Sequence, residues 1–351
     1  MKKFLKALMI CGIAIGGIIL AAALGFCALT LFEYKPADTE SVTPPDGTRT
    51  VKLGEELTVL SYNIGYAALS ETEDFFMDGG EKTMPDNKEL VENNLKGILS
   101  ELTKAKADIY MLQEVDTDSK RSFRINEVEY LAEGLGLPYD FAYNFYSVYT
   151  PYPLPDTIGT VHSGLCVYTD LKVAEAERIQ LPIPFDWPVR CFNLKRCLLI
   201  NRMPIEGSDK EFVFIDLHLE AYDDGEGKIE QTKMLYELLK AEYSKGNYVV
   251  CGGDFNQIFP GSQTYMLLDP DYWTPGQLEN DLPEGYKFVF SGDRPTCRLL
   301  NVPYKGNDEP QYYIIDGFIV SSNISVDEFN VVETNFVYSD HQPVLMKITL
   351  N

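Results

Sequence analysis

The sequence predicts a mixed α/β fold built in layers, and three observations support this prediction. Apolar runs of four to eight residues recur along the chain, and turn residues follow many of them. Amphipathic helical patterns lie between some of these runs. The chain has 351 residues, 45% of them hydrophobic and 24% charged, so it can bury a large core and is too apolar for disorder. Strands that alternate with helices favour a layered arrangement of sheets and helices.

Residues 1–32 predict a membrane anchor. Three lysines precede an uncharged run, Ala7 to Phe32, which exceeds the roughly 20 apolar residues that cross a bilayer. A cleaved signal peptide is the alternative, with "AAA" at residues 21–23 as its cleavage site, but the apolar run continues beyond that point. Lysines before the run, and Glu33 and Asp38 after it, predict a single span of the cell membrane with the N-terminus in the cytoplasm and the remainder outside.

The rest of the chain divides into a short linker and one long domain. Residues 33–53 are rich in Pro, Thr and Asp and lack apolar periodicity, which predicts an extended linker. Residues 54–351 contain no internal repeat, no low-complexity tract and no second boundary. We therefore expect an anchor, a linker and a single domain.

Eight apolar runs within this domain predict strands, and two periodic stretches predict helices. The strand candidates, in chain order, are "LTVLSYNIG", "ADIYMLQEVD", "SGLCVYTD", "RCLLINRMPI", "EFVFIDLHLEAY", "NYVVCGGDFN", "YYIIDGFIV" and "PVLMKITL". The helix candidates are "NKELVENNLKGILSELTKAK" and "IEQTKMLYELLKAEYSKG", the second of which ends at a Gly-Asn stop.

Charge and cysteine content exclude several classes of protein. A formal net charge of −23 opposes non-specific binding to nucleic acid or to an anionic membrane, and no stripe of Lys and Arg interleaved with aromatic residues indicates a stable nucleic-acid partner. Any phosphate chemistry would need a locally arranged cation. Five scattered cysteines outside the anchor, with no CxxC spacing, predict neither a zinc site nor a disulfide framework, although a Cys191–Cys197 bridge stays open.

Polar residues recur where the predicted strands end. In α/β sheets, ligands bind at the edge where the strands end. The polar residues at these positions are Asn63, Glu114, His218, Asp254 with Asn256, and Asp316. Two more, Asp340 and His341, come just before the last strand. Each alone is also explained as a turn or a helix cap. Together they form a pattern, because two of the only three histidines in the chain lie within two residues of a carboxylate at such an edge.

The order of these motifs resembles the endonuclease/exonuclease/phosphatase superfamily, which includes DNase I, apurinic endonucleases, neutral sphingomyelinases and inositol polyphosphate phosphatases. The matching motifs run from Ser61 to Val344 and are "SYNIG", "QEVD", "DLHLEAY", "GGDFN", "IDGFIV" and "SDHQPV". The resemblance implies a DNase I-like, four-layered sandwich of two mixed β-sheets flanked by helices. "FFMDGG" and "DTDSKRSFRINEVEYL" are similar to a bacterial, membrane-anchored subgroup.

The same resemblance implies a magnesium site. Glu114 would be the main Mg²⁺ ligand, with Asn63 beside it and Asp340 close to the metal, and Mn²⁺ is an alternative ion. A hard divalent ion of this kind prefers one or two carboxylates and takes its remaining ligands from water and substrate phosphate.

Catalytic roles for the other residues also follow from the resemblance. His341 would take the proton of the attacking water or hold the scissile phosphate, and Asp340 would bind near the metal or orient the ring. His218, oriented by Asp316, would donate to a phosphate oxygen or to the leaving group. Asp254 would align or deprotonate the nucleophile, and the choice of general base between Asp254 and His341 stays open.

A carboxylate and an amide in "GGDFN" suit this chemistry. Asn256 would donate hydrogen bonds to the oxygen that gains charge, while Asp254 two residues earlier handles the nucleophile. Two weaker candidates could contact substrate: His162, which precedes a predicted strand, and Arg298, which could supply the local cation.

The leading hypothesis is therefore a Mg²⁺-dependent phosphoesterase outside the cell membrane, expected to be a monomer without a stable nucleic-acid partner. Its substrate would be a phosphodiester, either nucleic acid or the head group of a phospholipid or sphingomyelin. One alternative is a phosphomonoesterase acting on sugar or inositol phosphates. Another is a catalytically silent binding module, which would be expected to lack one of the histidines or the metal carboxylate, whereas all are present.

Overall fold

The computed structural model describes residues 1–223 and 225–351 and confirms the predicted α/β class. The α-helices of this part of the chain are α1 (Lys2–Leu31), α2 (Lys88–Ala105), α3 (Glu127–Leu135) and α4 (Glu226–Lys245). Its strands are β1 (Thr39–Val42), β2 (Glu56–Asn63), β3 (Ile109–Asp116), β4 (Tyr139–Thr150), β5 (Gly159–Thr169), β6 (Glu175–Gln180), β7 (Cys197–Pro204), β8 (Glu211–His218), β9 (Tyr248–Asp254), β10 (Gln257–Ile258), β11 (Gly276–Gln277), β12 (Tyr286–Phe290), β13 (Cys297–Arg298), β14 (Tyr312–Tyr313), β15 (Asp316–Ser321), β16 (Ile324–Val331) and β17 (Val344–Leu350). Short 3₁₀ helices lie at Gly65–Ala67, Phe76–Asp78 and Val189–Phe192.

Two mixed sheets form the centre of the fold. One has the strand order β1-β6-β7-β8-β9-β15-β12, and the other has the order β16-β17-β2-β3-β5-β4. Their inner faces share one core, to which Val59 and Met111 contribute from one sheet and Phe214 and Val250 from the other. The sheets therefore pack face to face, as in a sandwich.

Helices cover the two outer faces and complete four layers. Residues such as Leu95 and Ile98 of α2 pack with α3 on the outer face of the six-stranded sheet. On the other side, Leu235 and Leu239 of α4 pack on the seven-stranded sheet. Each of these buried leucine or isoleucine side chains contributes on the order of 2 kcal/mol by leaving water. The four-layered sandwich expected from the sequence is thus confirmed.

The predicted helices begin and end where their capping residues direct. The side chain of Asn87 accepts a hydrogen bond from the Leu90 N–H at 3.0 Å and caps the start of α2. At the other end of a helix, Gly246 adopts a left-handed conformation with φ of 75° and ends α4. All eight predicted strands are present, but "YYIIDGFIV" is divided between β14 and β15.

Residues 33–53, predicted as an extended linker, are instead packed on the domain. Strand β1 lies within them and pairs with β6 at the edge of the seven-stranded sheet. The Glu33 carboxylate is almost fully buried and lies 3.3 Å from Arg190 and 3.4 Å from Lys195, while Val51 is completely buried. The polar edge strand has no apolar alternation by which the sequence could reveal it. As a result, no free coil separates α1 from the domain.

Helix α1 has the properties of a membrane span. Its mean hydropathy is 2.6 and its apolar window is not buried in the protein, so it is long and apolar enough to cross a bilayer. A signal sequence near an N-terminus has the same properties. Among the described residues, all seven cysteines are free, including Cys191 and Cys197.

Candidate active site

Two glycines in "GGDFN" allow neighbouring strands to approach β9 closely. A Cβ on Gly253, which has a φ of 143°, would lie 1.9 Å from the Leu217 carbonyl oxygen. A Cβ on Gly252 would lie 2.3 Å from the Phe318 ring. Neither position accepts a side chain, so glycine is required for β8 and β15 to flank β9 just before Asp254.

This close approach brings three predicted site residues to one level of the sheet. In the strand pairing, Asp254 lies opposite His218 on β8 and opposite Asp316 on β15. Asn63 ends β2 in the other sheet, and its Nδ2 donates to Asp254 Oδ2 at 3.0 Å. The two sheets therefore meet at this edge with their polar side chains in contact.

His341 is held by a buried carboxylate. Its Nδ1 lies 2.9 Å from Asp316 Oδ2 and 3.1 Å from Oδ1, so Nδ1 carries a proton and donates it to this carboxylate. Burial alone would lower the pKa of His341, but the charge of Asp316 outweighs burial and the pKa lies well above its usual value. With Nδ1 engaged, Nε2 faces the other carboxylates of the site, 3.6 Å from Asp254 and 3.9 Å from Asp340.

Asp254 is the centre of the hydrogen-bond network. Its Oδ1 accepts from the Asn256 N–H at 2.9 Å, and its Oδ2 accepts from Asn63. Burial raises the pKa of Asp254 to about 7, although the nearby His341 opposes this rise. A carboxylate with such a pKa can accept or release a proton near neutral pH.

His218 has a different partner from the one the sequence suggested. Asp316 contacts His341 rather than His218, because a backbone bridge between Cys297 and His341 brings the ring of His341 beside the start of β15. The Nε2 of His218 lies 3.3 Å from Asp254 Oδ2. Burial, reinforced by nearby positive groups, lowers the pKa of His218 well below its usual value, so the ring is neutral.

A β-bulge directs Glu114 into the site. The pairing of β3 with β5 shifts between Leu112 and Val115, and Glu114 within this bulge has a φ of 56°. Bulges with a left-handed residue often redirect a side chain, and the strain they carry is common at functional sites. Here the bulge turns Glu114 Oε1 to within 3.3 Å of Asn63 Nδ2.

Asn63 orients carboxylates in this arrangement. Its Oδ1 accepts from the Gly65 N–H at 3.0 Å, while Nδ2 points to Glu114 and Asp254. One of the two lone pairs of this oxygen is therefore engaged, and the other stays available to a metal. Asn63 remains a predicted ligand, next to the carboxylates of Glu114 and Asp340.

Those two carboxylates fit a hard divalent cation. Burial raises the pKa of Asp340 to about 6, and the charge of Glu114 adds to this rise. His341 and Arg298 only partly offset the charge of Asp340, and a divalent cation would supply further positive charge. Two clusters of possible ligand atoms within 4.8 Å lie close by, Cys297–Asp340–His341 and Asp254–Asp316–His341. The first includes a soft thiol and the second a ring already bound by Asp316, so oxygen ligands from Glu114 and Asp340 suit Mg²⁺ better.

A large cavity opens over this network. It contains about 1170 Å³ of space between protein atoms, part of it open to solvent. The predicted site residues that line it are Glu114, His218, Asp254, Asn256, Arg298, Asp340 and His341. Asn63 and Asp316 lie behind this surface and act on it through their hydrogen bonds.

The amide of Asn256 lies at the cavity wall in a left-handed conformation. Its φ is 50°, which Asn tolerates better than most residues. The side-chain Nδ2 donates to the Leu219 carbonyl at 2.9 Å, which leaves its second N–H to meet a ligand.

Arginines supply the local positive charge that an acidic protein needs for phosphate chemistry. Arg298 is buried at the cavity and donates to the Ser70 carbonyl at 2.8 Å, while its Nε has no partner among the described residues. Arg121 also lines the cavity, but Asp116 neutralises it through two hydrogen bonds. Arg298 is therefore the predicted arginine with unused hydrogen-bonding capacity at the cavity.

His162 does not line the cavity, contrary to expectation. Adjacent residues of a strand point to opposite faces, and on β5 it is Ser163 that faces the cavity. His162 instead stacks on Tyr146 with ring centroids 4.1 Å apart, and its Nδ1 lies 3.9 Å from Asp118.

Arg196 is a cavity residue that the sequence reading missed. Its side chain is 4% exposed, and its Nε lies 3.8 Å from Glu220 Oε2, too far for a hydrogen bond. Both atoms lack a hydrogen-bond partner among the described residues. Asn144 on β4 is a second such residue, since its Nδ2 is also buried and unpartnered at the cavity. No motif marked either residue, because Arg196 directly precedes β7 and Asn144 lies in the interior of β4, and neither has a histidine beside it in the sequence.

Comparisons with known proteins agree with this geometry. The model of the Endonuclease/Exonuclease/phosphatase family matches residues 60–341. A search of curated proteins found no significant match. The chain belongs to the endonuclease/exonuclease/phosphatase family, because the family model covers most of it and includes every residue of the network above.

Solved structures share the fold at low sequence identity. An endonuclease/exonuclease/phosphatase from Beutenbergia cavernae is 18% identical, with a TM-score of 0.57 over 84% of this chain and 72% of that one. A family protein from Bacteroides vulgatus is 14% identical, with a TM-score of 0.53 over 85% and 100%. Truncated TDP2 from Caenorhabditis elegans is 16% identical, with a TM-score of 0.52 over 85% and 99%. These structures support the DNase I-like fold and leave the substrate to the site itself.

Proposed function

We propose that this protein is a metal-dependent phosphoesterase that hydrolyses a phosphodiester outside the cell membrane. The observation that carries the proposal is the His341–Asp316 pair, whose free Nε2 faces Asp254 in a cavity that Glu114 and Asp340 also line. A proton acceptor, an oriented imidazole and two metal-binding carboxylates are the groups that phosphate ester hydrolysis requires.

The proposed reaction is the addition of water to phosphorus. A new P–O bond forms from the water oxygen, the P–O bond to one alcohol breaks, and the products are a phosphomonoester and an alcohol. The proton of the water passes to the Asp254 carboxylate, or to Nε2 of His341 in molecules whose ring is neutral, and the leaving oxygen takes up a proton. The neutral His218 and the amide of Asn256 would donate hydrogen bonds to oxygens that gain negative charge.

A divalent cation held by Glu114 and Asp340 would polarise a phosphoryl oxygen and offset its charge. Arg298 and Arg196 would supply further positive charge at the cavity wall. Mg²⁺ is the proposed ion, since the available ligands are carboxylate oxygens, and Mn²⁺ would fit the same ligands.

A diester is favoured over a monoester by the shape and lining of the cavity. A phosphodiester carries an alcohol on each side of phosphorus, so its site must have room for two substituents. The cavity extends from the carboxylates to an apolar wall that includes Phe75, Tyr152 and Phe185. This wall offers a place for the second substituent.

The location outside the membrane is proposed from α1. Residues 1–32 would anchor the chain, with the lysines before the apolar run on the cytoplasmic side, and residues 54–351 would carry the activity. A cysteine added to the domain of a chain expressed in cells would then be labelled by a reagent that does not cross membranes. Labelling only after lysis would contradict this location.

The activity is tested with the full chain in detergent. We expect hydrolysis of bis-p-nitrophenyl phosphate with Mg²⁺, loss of this activity with chelator, and slower hydrolysis of p-nitrophenyl phosphate. Faster cleavage of the monoester would favour a phosphomonoesterase. Cleavage of neither ester, nor of plasmid DNA, would contradict the proposal and favour a binding module.

A further inference from the structure

Exposed apolar side chains concentrate on one part of the domain. Outside the anchor, twelve large apolar residues of the described chain are exposed, and half of them lie in the segments 148–154 and 183–189. We refer to these six residues as the apolar patch: Val148, Tyr149, Leu154, Ile183, Trp187 and Val189. Leu154 is 83% exposed and Trp187 is 53% exposed. Contiguous exposed apolar residues of this kind mark an interaction surface.

The two segments are neighbours in space. Thr150, within the first, donates from Oγ1 to the Phe192 carbonyl at 3.3 Å, just beyond the second. The ring centroids of Tyr152 and Phe192 are 5.9 Å apart. The two segments that carry the six exposed side chains are therefore adjacent.

The apolar patch is continuous with the end of α1. Trp187 donates from Nε1 to Thr30 Oγ1 at 3.0 Å, and its ring centroid lies 6.0 Å from that of Phe26. Because Glu33 is buried against Arg190 and Lys195, the chain leaves the helix and enters the domain directly. If α1 spans a bilayer, the domain cannot move away from it without breaking these contacts.

Trp187 thus lies at the level where the anchor leaves the membrane. Tryptophan is enriched at this level of a bilayer, where its apolar ring and its N–H group meet different environments. The other patch residues lie on the two adjacent segments, one of which carries this ring. The membrane surface is consequently the occupant that its position favours.

The same two segments also form part of the cavity wall. Tyr152 and Ile158 line the cavity from the first segment and its continuation, and Phe185 and Leu194 line it from the second segment and its continuation. The outer sides of these segments carry the apolar patch. A bilayer in contact with the patch would therefore border the cavity.

We propose that the apolar patch docks on the lipid surface and that the cavity takes the head group of a membrane phospholipid. This inference rests on the proposed function and on the membrane span, and it names the substrate class. Water adds to the lipid phosphorus, one P–O bond breaks, and the two products are an alcohol and a phosphomonoester. One of them retains the acyl chains.

Apolar insertion, rather than charge, drives this docking. The protein has a net charge of −23, and the basic side chains beside the patch already have acidic partners, as Arg190 has Glu33 and Lys120 has Asp156. Attraction to an anionic membrane needs clustered free cations. A zwitterionic lipid such as phosphatidylcholine is the matching surface and the probe for the test.

The position of the patch is tested by fluorescence, since the chain has only two tryptophans. The full chain is placed in nanodiscs of phosphatidylcholine with brominated acyl chains, which quench a nearby indole. In the Trp273→Phe variant, which retains Trp187, we expect quenching by at least about half relative to unbrominated lipid. In the matched Trp187→Phe variant, the packed Trp273 should be quenched far less. Equal quenching of the two, or none of Trp187, would overturn the docking.

The substrate class is tested by comparing two diesters. In the same nanodiscs, Leu154→Asp should slow hydrolysis of phosphatidylcholine by about tenfold or more, because a charge replaces an inserted apolar side chain. Hydrolysis of soluble bis-p-nitrophenyl phosphate should stay within about twofold, because Leu154 does not line the cavity. Leu53→Asp is the control, since Leu53 is 46% exposed and lies just before β2, at the end of that strand opposite Asn63.

The outcomes separate the two proposals. If the wild-type chain hydrolyses the soluble diester but not the lipid, or if Leu154→Asp slows both equally, the inference is wrong and the proposed function stands. If the wild-type chain hydrolyses neither diester with Mg²⁺, the proposed function fails together with the substrate class. Lipid hydrolysis that Leu154→Asp reduces and Leu53→Asp does not supports the inference.

Discussion

Two buried clusters of charge in this protein have opposite character. At the cavity, Asp254 shares its surroundings with other carboxylates, and burial raises its pKa to about 7. In the last turn of α4, Glu242 accepts hydrogen bonds from Arg202, Lys245 and Asn247. Burial alone would raise the pKa of Glu242, but these partners hold it at about 2. Complete pairing fixes the charge of Glu242 and serves stability, whereas incomplete pairing leaves Asp254 able to exchange a proton.

The largest expected effect is on activity, from Asp316→Asn. An amide cannot accept the Nδ1 proton of His341 as the carboxylate does, so the ring would lose its tautomer and orientation. We expect the hydrolysis rate of bis-p-nitrophenyl phosphate to fall about a thousandfold, in keeping with the tautomer effect in other His–Asp pairs. The thermal unfolding midpoint serves as the control for folding. Near-full activity in a folded variant would show that Asp316 does not position His341.

The next effect concerns the proposed metal ligand. Glu114→Gln should cut hydrolysis by at least about a hundredfold, because an amide is a weaker ligand for a hard cation. Mg²⁺ should raise the unfolding midpoint of the wild-type chain and not that of the variant. An equal shift in both would remove Glu114 from the ligand set, whatever the activities.

Glu242→Gln tests the role of the fully paired cluster in stability. Replacing this buried carboxylate leaves Arg202 without its main partner, and breaking such a pair costs about 3 kcal/mol. For a domain of this size we expect the unfolding midpoint to fall by about 5 to 10 °C. Hydrolysis at a temperature where both chains are folded should change less than about twofold. A large loss of activity would mean that the two clusters are coupled.

The stability of the same cluster should depend on pH. An unfolded Glu has a pKa of about 4.3, and the folded value of Glu242 is about 2, so its contribution is complete above the unfolded pKa and is lost as pH falls through the folded pKa. Unfolding midpoints measured from pH 5 down to about pH 2 should therefore fall more steeply for the wild-type chain than for Glu242→Gln. Parallel curves would contradict the lowered pKa.

The smallest effect is expected at His162. This ring stacks on Tyr146 and lies outside the cavity wall, so His162→Phe keeps the stacking and should change hydrolysis less than about threefold. A loss of activity comparable to that of Asp316→Asn would indicate that His162 takes part in the active site.

Much of the fold could be predicted because buried strands carry strong apolar runs. The central strands β2, β3, β8 and β9 all followed from such runs, and the polar residues at their ends followed from the rule that ligands bind at that edge. Edge strands escaped prediction. Strand β1, "TESV", has one apolar residue and gains its stability from pairing with β6, which the sequence does not display.

The limits of prediction at the site have a similar cause. The partner of Asp316 depends on the bridge between Cys297 and His341, which joins segments that are 44 positions apart in the chain. The direction of Glu114 depends on a bulge, and the presence of Arg196 at the cavity depends on how β7 begins. Residue types and their order indicated the chemistry, while the contacts between them required the folded chain.

The most direct test of the account compares the wild-type chain with His341→Ala in the hydrolysis of bis-p-nitrophenyl phosphate with Mg²⁺. We predict metal-dependent hydrolysis by the wild-type chain and a loss of at least about a hundredfold in the variant, with little change in the unfolding midpoint. Equal rates for the two chains would contradict the account, because His341 would then have no part in catalysis.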